Sequence, residues 1–115
     1  MWRIINSENV AFEPYTKGVA DIKRVIKQEA GEGVFEGLGF LRIPPHGVFP
    51  KHSHPEKEEI YYVMSGSGTL MVENKEEAVS EGSVFYVSGS VPHGLSNSTD
   101  KTLTVLYVTA FVQSP

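Results

Sequence analysis

Apolar and polar residues alternate along most of this chain, and glycine or proline breaks the alternation at short intervals. That is the rhythm of strands joined by tight turns. The pattern predicts strands at residues 2–5, 22–27, 35–43, 59–64, 68–72, 78–79, 83–87, 93–97 and 103–112, enough for two sheets or a closed barrel. Ser65-Gly66-Ser67-Gly68, Glu73-Asn74-Lys75 and Glu81-Gly82 each put residues tolerant of unusual backbone angles between apolar runs, so each reads as a hairpin or corner. In the last strand Leu103, Val105, Tyr107, Thr109 and Phe111 share one face, with Leu106, Val108, Ala110 and Val112 on the other. Both faces are largely apolar, which predicts burial on both sides. Residues 20–30 also fit a short amphipathic helix through Ile22, Val25 and Ile26, but β-branched residues and a Gly-rich flank favour an edge strand. No internal repeat or low-complexity linker interrupts the pattern.

A chain of 115 residues suits a single domain spanning 1–115, with residues 1–33 as an N-terminal arm and edge strands and 34–115 as the barrel. With no cysteine, disulfides, thiolate metal sites and cysteine nucleophiles are excluded, and any metal sits on nitrogen and oxygen. The formal charge of −4 and the lack of a basic cluster argue against nucleic acid. No stretch approaches the length of a membrane span, and the opening residues lack a secretory signal pattern, so a cytoplasmic location is expected. The first 30 residues carry no recognisable chemistry; their expected role is to cover a barrel edge or pair with a second subunit. A homodimer is expected, with Trp2 as an apolar anchor.

The candidate chemistry lies at His52, His54, Glu59 and His93. In an extended segment His52 and His54 project to the same side, offering two imidazoles to one point. The run from Gly47 to Gly66, with His52-Ser53-His54, Glu59 and a closing glycine, resembles the first cupin motif. The run from Gly82 to Asn97, containing His93, resembles the second. Together they extend the resemblance from Gly39 to the C-terminus. It implies an all-β, double-stranded β-helix or jelly-roll barrel and a metal held by His52, His54, Glu59 and His93. Two departures stand out. Ser88, Gly89 and Ser90 replace the usual Pro and Gly spacing before His93, and four residues rather than five separate Gly47 from His52.

Imidazoles plus a carboxylate suit one divalent ion of Fe, Mn, Ni, Zn, Co or Cu, with one or two coordination positions left open. If Glu59 points into the barrel, Tyr61 and Val63 do too, while Ile60 and Tyr62 face away. Tyr61 is therefore the candidate catalytic acid or base, the alternative being a packed tyrosine with a satisfied hydroxyl. Arg42 either faces the cavity as a carboxylate clamp or is solvated surface. His46 belongs to a turn at the barrel mouth, and Glu56 and Glu58 to a solvated loop. Signals for serine hydrolysis, phosphate cradling and dinucleotide binding are absent from the sequence.

These readings point to a metal-dependent cupin enzyme acting on a small polar or carboxylate-bearing molecule, as a dioxygenase, isomerase, decarboxylase or lyase. A non-enzymatic barrel that senses a small ligand or metal is the competing class. A narrower resemblance, carried by Leu38-Gly39-Phe40, the HSH and EIY elements and His93, is to small bacterial cupins that cleave dimethylsulfoniopropionate. It implies Tyr61 as the base.

Overall fold

The alternating segments pair into ten strands in the computed structural model, which describes residues 2–15, 18–28 and 32–112. They are β1 (Glu13–Pro14), β2 (Asp21–Lys27), β3 (Phe35–Ile43), β4 (Val48–His52), β5 (Lys57–Ser65), β6 (Ser67–Val72), β7 (Lys75–Ser80), β8 (Val84–Ser88), β9 (His93–Ser96) and β10 (Leu103–Phe111). Among the described residues the helical content is one short 3-10 turn, Ser7–Asn9, capped by the Asn6 side chain. One sheet has six strands in the order β1-β2-β3-β10-β5-β8, and a second has four in the order β4-β9-β6-β7. Every pairing is antiparallel.

The two sheets face each other, and period-two alternation decides what lies between them. Leu41, Ile43, Tyr61, Val63, Leu103 and Val105 point inward from the larger sheet to meet Phe49, Leu70, Val79 and Leu95 of the smaller one. Each such side chain contributes about 1.5–3 kcal/mol on full burial. Asn97, buried just after β9, locks the loop beyond it. Its Nδ2 donates to the carbonyls of Ile43, Pro44 and Lys101, and its Oδ1 accepts from the Thr99 N–H and hydroxyl.

Residues 2–5 form no strand, contrary to expectation, and Trp2 is 82% exposed. Alternation records which face a segment prefers, not whether an edge is available for it; β2 is instead paired by the two-residue β1. Of residues 20–30, Asp21–Lys27 take the extended option as β2, and residues 29 and 30 lie outside the described residues. An unexpected strand, β4, runs directly into His52, because Pro50 sits at a register irregularity where its missing N–H costs no regular ladder bond. Burial of β10 is one-sided: Leu103, Val105 and Thr109 are buried, whereas Leu106, Val108 and Ala110 are only half-buried. The small sheet covers only the inner face of the large one, so the outer face carries exposed Ile60, Tyr62, Met64, Val84 and Tyr86.

Candidate metal centre

His52 ends β4, His93 begins β9, and the two are register partners in the small sheet; Glu59 reaches them from β5 across the interior. One donor atom from each of the three lies within 4.8 Å of the others, close to the span of a single ion with bonds of about 2.1 Å. Glu59 is 4% and His93 1% exposed. Tyr61 and Val63 follow Glu59 onto the inner face as expected, and Ile60 and Tyr62 turn outward. The Tyr61 ring is 2% exposed and stacks on Phe85 at 4.8 Å.

The hydrogen bonds settle which imidazole nitrogens are available. His52 Nδ1 lies 3.0 Å from the Pro50 carbonyl and His93 Nδ1 2.7 Å from the Val91 carbonyl. A carbonyl only accepts, so both Nδ1 atoms carry hydrogen and both neutral rings present an Nε2 lone pair to the interior. Glu59 Oε2 accepts the Tyr61 hydroxyl proton. Glu59 Oε1 is buried without a hydrogen bond, although His93 Nε2 is 3.2 Å away. With neutral His93, an acceptor confronts an acceptor there, a costly arrangement unless a cation lies between them. Backbone-fixed imidazoles and an unsatisfied buried carboxylate oxygen are the features of a metal site with its supporting shell in place, so the residues fit a divalent ion.

Titration behaviour in the absence of an ion follows from the same contacts. Burial pushes His52 down. For His93 burial acts the same way, but a proton on Nε2 gains the Glu59 carboxylate as acceptor and the Val91 carbonyl holds Nδ1, so the net shift is upward. Burial raises Glu59, yet His93 and Tyr61 hold its carboxyl below the ordinary value. Burial, reinforced by the Glu59 charge, pushes the Tyr61 phenol well above its usual value.

His54 lies outside this triad of donor atoms. Its ring is 5.0 Å from that of His52, and it lines the cavity that opens above the triad. Its backbone is fixed by a 2.6 Å hydrogen bond from its N–H to the Gly89 carbonyl. A Cβ at position 89 would overlap the His54 and Lys57 carbonyl oxygens, so the displaced glycine of the second motif is what lets the two loops close on each other.

The cavity of ≈ 260 Å³ is smaller than sites for drug-sized ligands. Arg42 does not reach it: its guanidinium pairs with Asp21 at 3.0 Å and lies 4.0 Å from the Phe12 ring centroid on the outer face. His46 occupies the turn before β4 with φ +63° and is not among the lining residues. Arg24 and Lys27 of β2, Tyr107 and Thr109 of β10, and the Lys57–Glu36 pair do line it, and the sequence reading missed them. The available signal was parity, since Arg24 lies two residues after inward-facing Ile22.

A two-sheet antiparallel barrel with histidines and a glutamate converging in its interior defines a cupin. The cupin domain family model matches residues 39–109, and the chain belongs to that family. It is 29% identical over 105 residues to an uncharacterized protein of Methanocaldococcus jannaschii, covering 90% of this chain and 84% of that one. It is 24% identical over 92 residues to an oxalate-binding protein of Thermotoga maritima, covering 80% and 76%. Its fold is similar to the crystal structure of a predicted oxalate decarboxylase from Thermotoga maritima, with TM-score 0.85, 20% identity and 96% and 100% coverage. The polyketide cyclase RemF of Streptomyces resistomycificus gives TM-score 0.75, 26% identity and 100% and 82% coverage. Among the described residues no helix is long and apolar enough to cross a membrane.

Proposed function

We propose that this cupin is a metal-dependent enzyme. It binds one divalent first-row transition ion through His52, Glu59 and His93, with His54 as the fourth ligand, and acts on a small carboxylate-bearing or polar molecule in the cavity above them. The observation that carries this is the arrangement of acceptors: two Nε2 lone pairs and an unsatisfied, buried Glu59 oxygen facing one point. Once bound, such an ion supplies Lewis acidity, and iron would add a redox couple. Tyr61 keeps Glu59 oriented through its hydrogen bond and stands beside the site as its candidate proton donor or acceptor. Phe49, edge-on to the His52 ring at 4.8 Å, keeps water from that side of the imidazole.

A second reading, a barrel that binds a small acid without converting it, draws support from the Thermotoga maritima relative named for oxalate binding. The dimethylsulfoniopropionate lyase reading needs Tyr61 as a base; in the ion-free site its hydroxyl donates to Glu59. The expected homodimer is part of the proposal, supported by exposed Trp2 and Ile4 and the apolar outer face around Tyr62 and Tyr86.

Elemental analysis of protein purified without metal affinity or chelators tests the centre. Wild type is expected to carry about one transition ion per chain and His93→Ala almost none. A wild type that stays empty after incubation with Fe, Mn, Ni, Co, Cu and Zn refutes the reading. With the centre established, turnover of small acids separates the enzyme from the binding barrel.

A further inference from the structure

The cavity holds charge that the metal centre does not use. Arg24, Lys27 and Lys57 line it, along with the acids Glu36 and Glu59. Glu59 belongs to the triad. Glu36 is engaged by Lys57 Nζ at 2.7 Å and the Thr109 hydroxyl at 2.7 Å. Arg24 has, among the described residues, one ion pair: Glu13 at 3.9 Å, with a side chain 70% exposed, a contact of little energetic weight.

Sheet register places these groups in two adjacent rungs. One rung runs Tyr61, Tyr107, Gly39, Arg24 across β5, β10, β3 and β2; the next runs Glu59, Thr109, Gly37, Lys27. A bulge between Arg24 and Ile26 resets the alternation, so that Lys27 joins Arg24 on the inner side. Each rung therefore starts at the metal centre, passes a hydroxyl and a glycine, and ends at a cation. At Gly39 the missing side chain makes room for the Tyr107 hydroxyl. Burial, partly opposed by the Arg24 charge, pushes the pKa of that hydroxyl up to about 12, with no hydrogen bond among the causes. It is a proton-bearing donor at neutral pH. The β2 and β5 backbones are separated by three strand spacings, about 14 Å, and the Arg24 side chain spans part of that distance.

We infer that Arg24 and Tyr107, with Lys27 beside them, form a carboxylate site at the β2 end of the cavity. The molecule this barrel takes is then a small acid several atoms long, with its carboxylate at Arg24 and a second oxygen-bearing end at the metal centre. The guanidinium fork and a phenolic donor suit a carboxylate's two oxygens. This assignment rests on the metal-centre reading for the second end only.

Calorimetric titration with straight-chain dicarboxylates from oxalate to adipate tests it, using metal-loaded wild type, Arg24→Gln and Arg42→Gln, with metal content and melting temperature measured for each. The longer diacids are expected to bind wild type. Arg24→Gln should weaken them roughly tenfold, the loss of one charge-assisted interaction at a half-exposed site. Oxalate binding, metal content and folding should be unchanged, and Arg42→Gln, which removes the same charge from the outer face, should have no effect. The proposal is overturned if no diacid binds wild type, if Arg24→Gln weakens none of them, or if Arg42→Gln weakens them equally. A chain that takes up no metal refutes the proposed function, and the same titration then reads the carboxylate site alone. Diacid binding to the metal-free chain that drops in Arg24→Gln upholds the site, and binding indifferent to that substitution overturns it.

Discussion

Replacing Glu59 by Gln tests whether two acceptors face each other in the metal-free site. In wild type the buried Glu59 Oε1 has no hydrogen bond, 3.2 Å from His93 Nε2. In the variant the amide oxygen accepts from Tyr61 and the amide nitrogen donates to that Nε2, so both groups are satisfied. A buried unsatisfied polar atom costs about 1–3 kcal/mol. In chelator, at alkaline pH above the folded pKa of His93, Glu59→Gln should therefore be more stable than wild type by about 1 kcal/mol, a melting point roughly 4 °C higher. The sign turns with pH. The folded pKa of His93 is raised, so the stability from its protonated form beside the Glu59 carboxylate is complete below the ordinary value of 6.5 and disappears as pH rises through the folded value. At pH 6 wild type keeps that charged pair and should be the more stable protein. Thermal melts followed by circular dichroism across pH 6–9, with chelator present, measure the difference directly. A variant less stable than wild type at alkaline pH above the folded pKa of His93, or a difference that does not change with pH, refutes the tautomers and the confrontation of acceptors. Adding metal at a hundred times its dissociation constant should then raise wild type by about 2.7 kcal/mol and the variant by much less.

Glu36→Gln should destabilise the chain by about 1 kcal/mol at neutral pH, because Lys57 keeps a largely buried ammonium without its partner. Burial raises the Glu36 carboxyl, but Lys57 and Thr109 outweigh it and hold it below 4.5, so the effect should be present above that pH and vanish as pH falls through the folded value; a loss independent of pH contradicts the pairing. Gly89→Ala should cost about 1–3 kcal/mol by overpacking against the His54 and Lys57 carbonyls and break the Gly89–His54 hydrogen bond. If His54 is a ligand, metal affinity measured by competition with a chromogenic chelator falls as well; unchanged affinity in a folded Gly89→Ala protein removes His54 from the site.

The contrast between Arg42 and Arg24 shows where reading the sequence stops. The chelating pattern and the parity of β5 were legible because each rests on local geometry: Tyr61 and Val63 follow Glu59 inward for the same reason that Ile60 and Tyr62 do not. Parity also implied that Arg42, between inward Leu41 and Ile43, faces outward, and that Arg24 shares the face of Ile22. The difficulty is that two-fold alternation usually assigns charge to solvent, and at the open end of a barrel the inner face is itself wet. Arg24 obeys the parity of its strand while breaking the expected sorting of charge, and Gly37 and Gly39, uninformative as members of a strand, leave room on the same face for Tyr107 and Thr109. The bulge that turns Lys27 inward depends on pairing between β2 and β3, a long-range fact that composition within β2 does not encode. The candidate metal set is thus written in the two motifs, whereas the proposed carboxylate site arises from register across four strands, β5, β10, β3 and β2, and becomes visible only when their rungs are aligned.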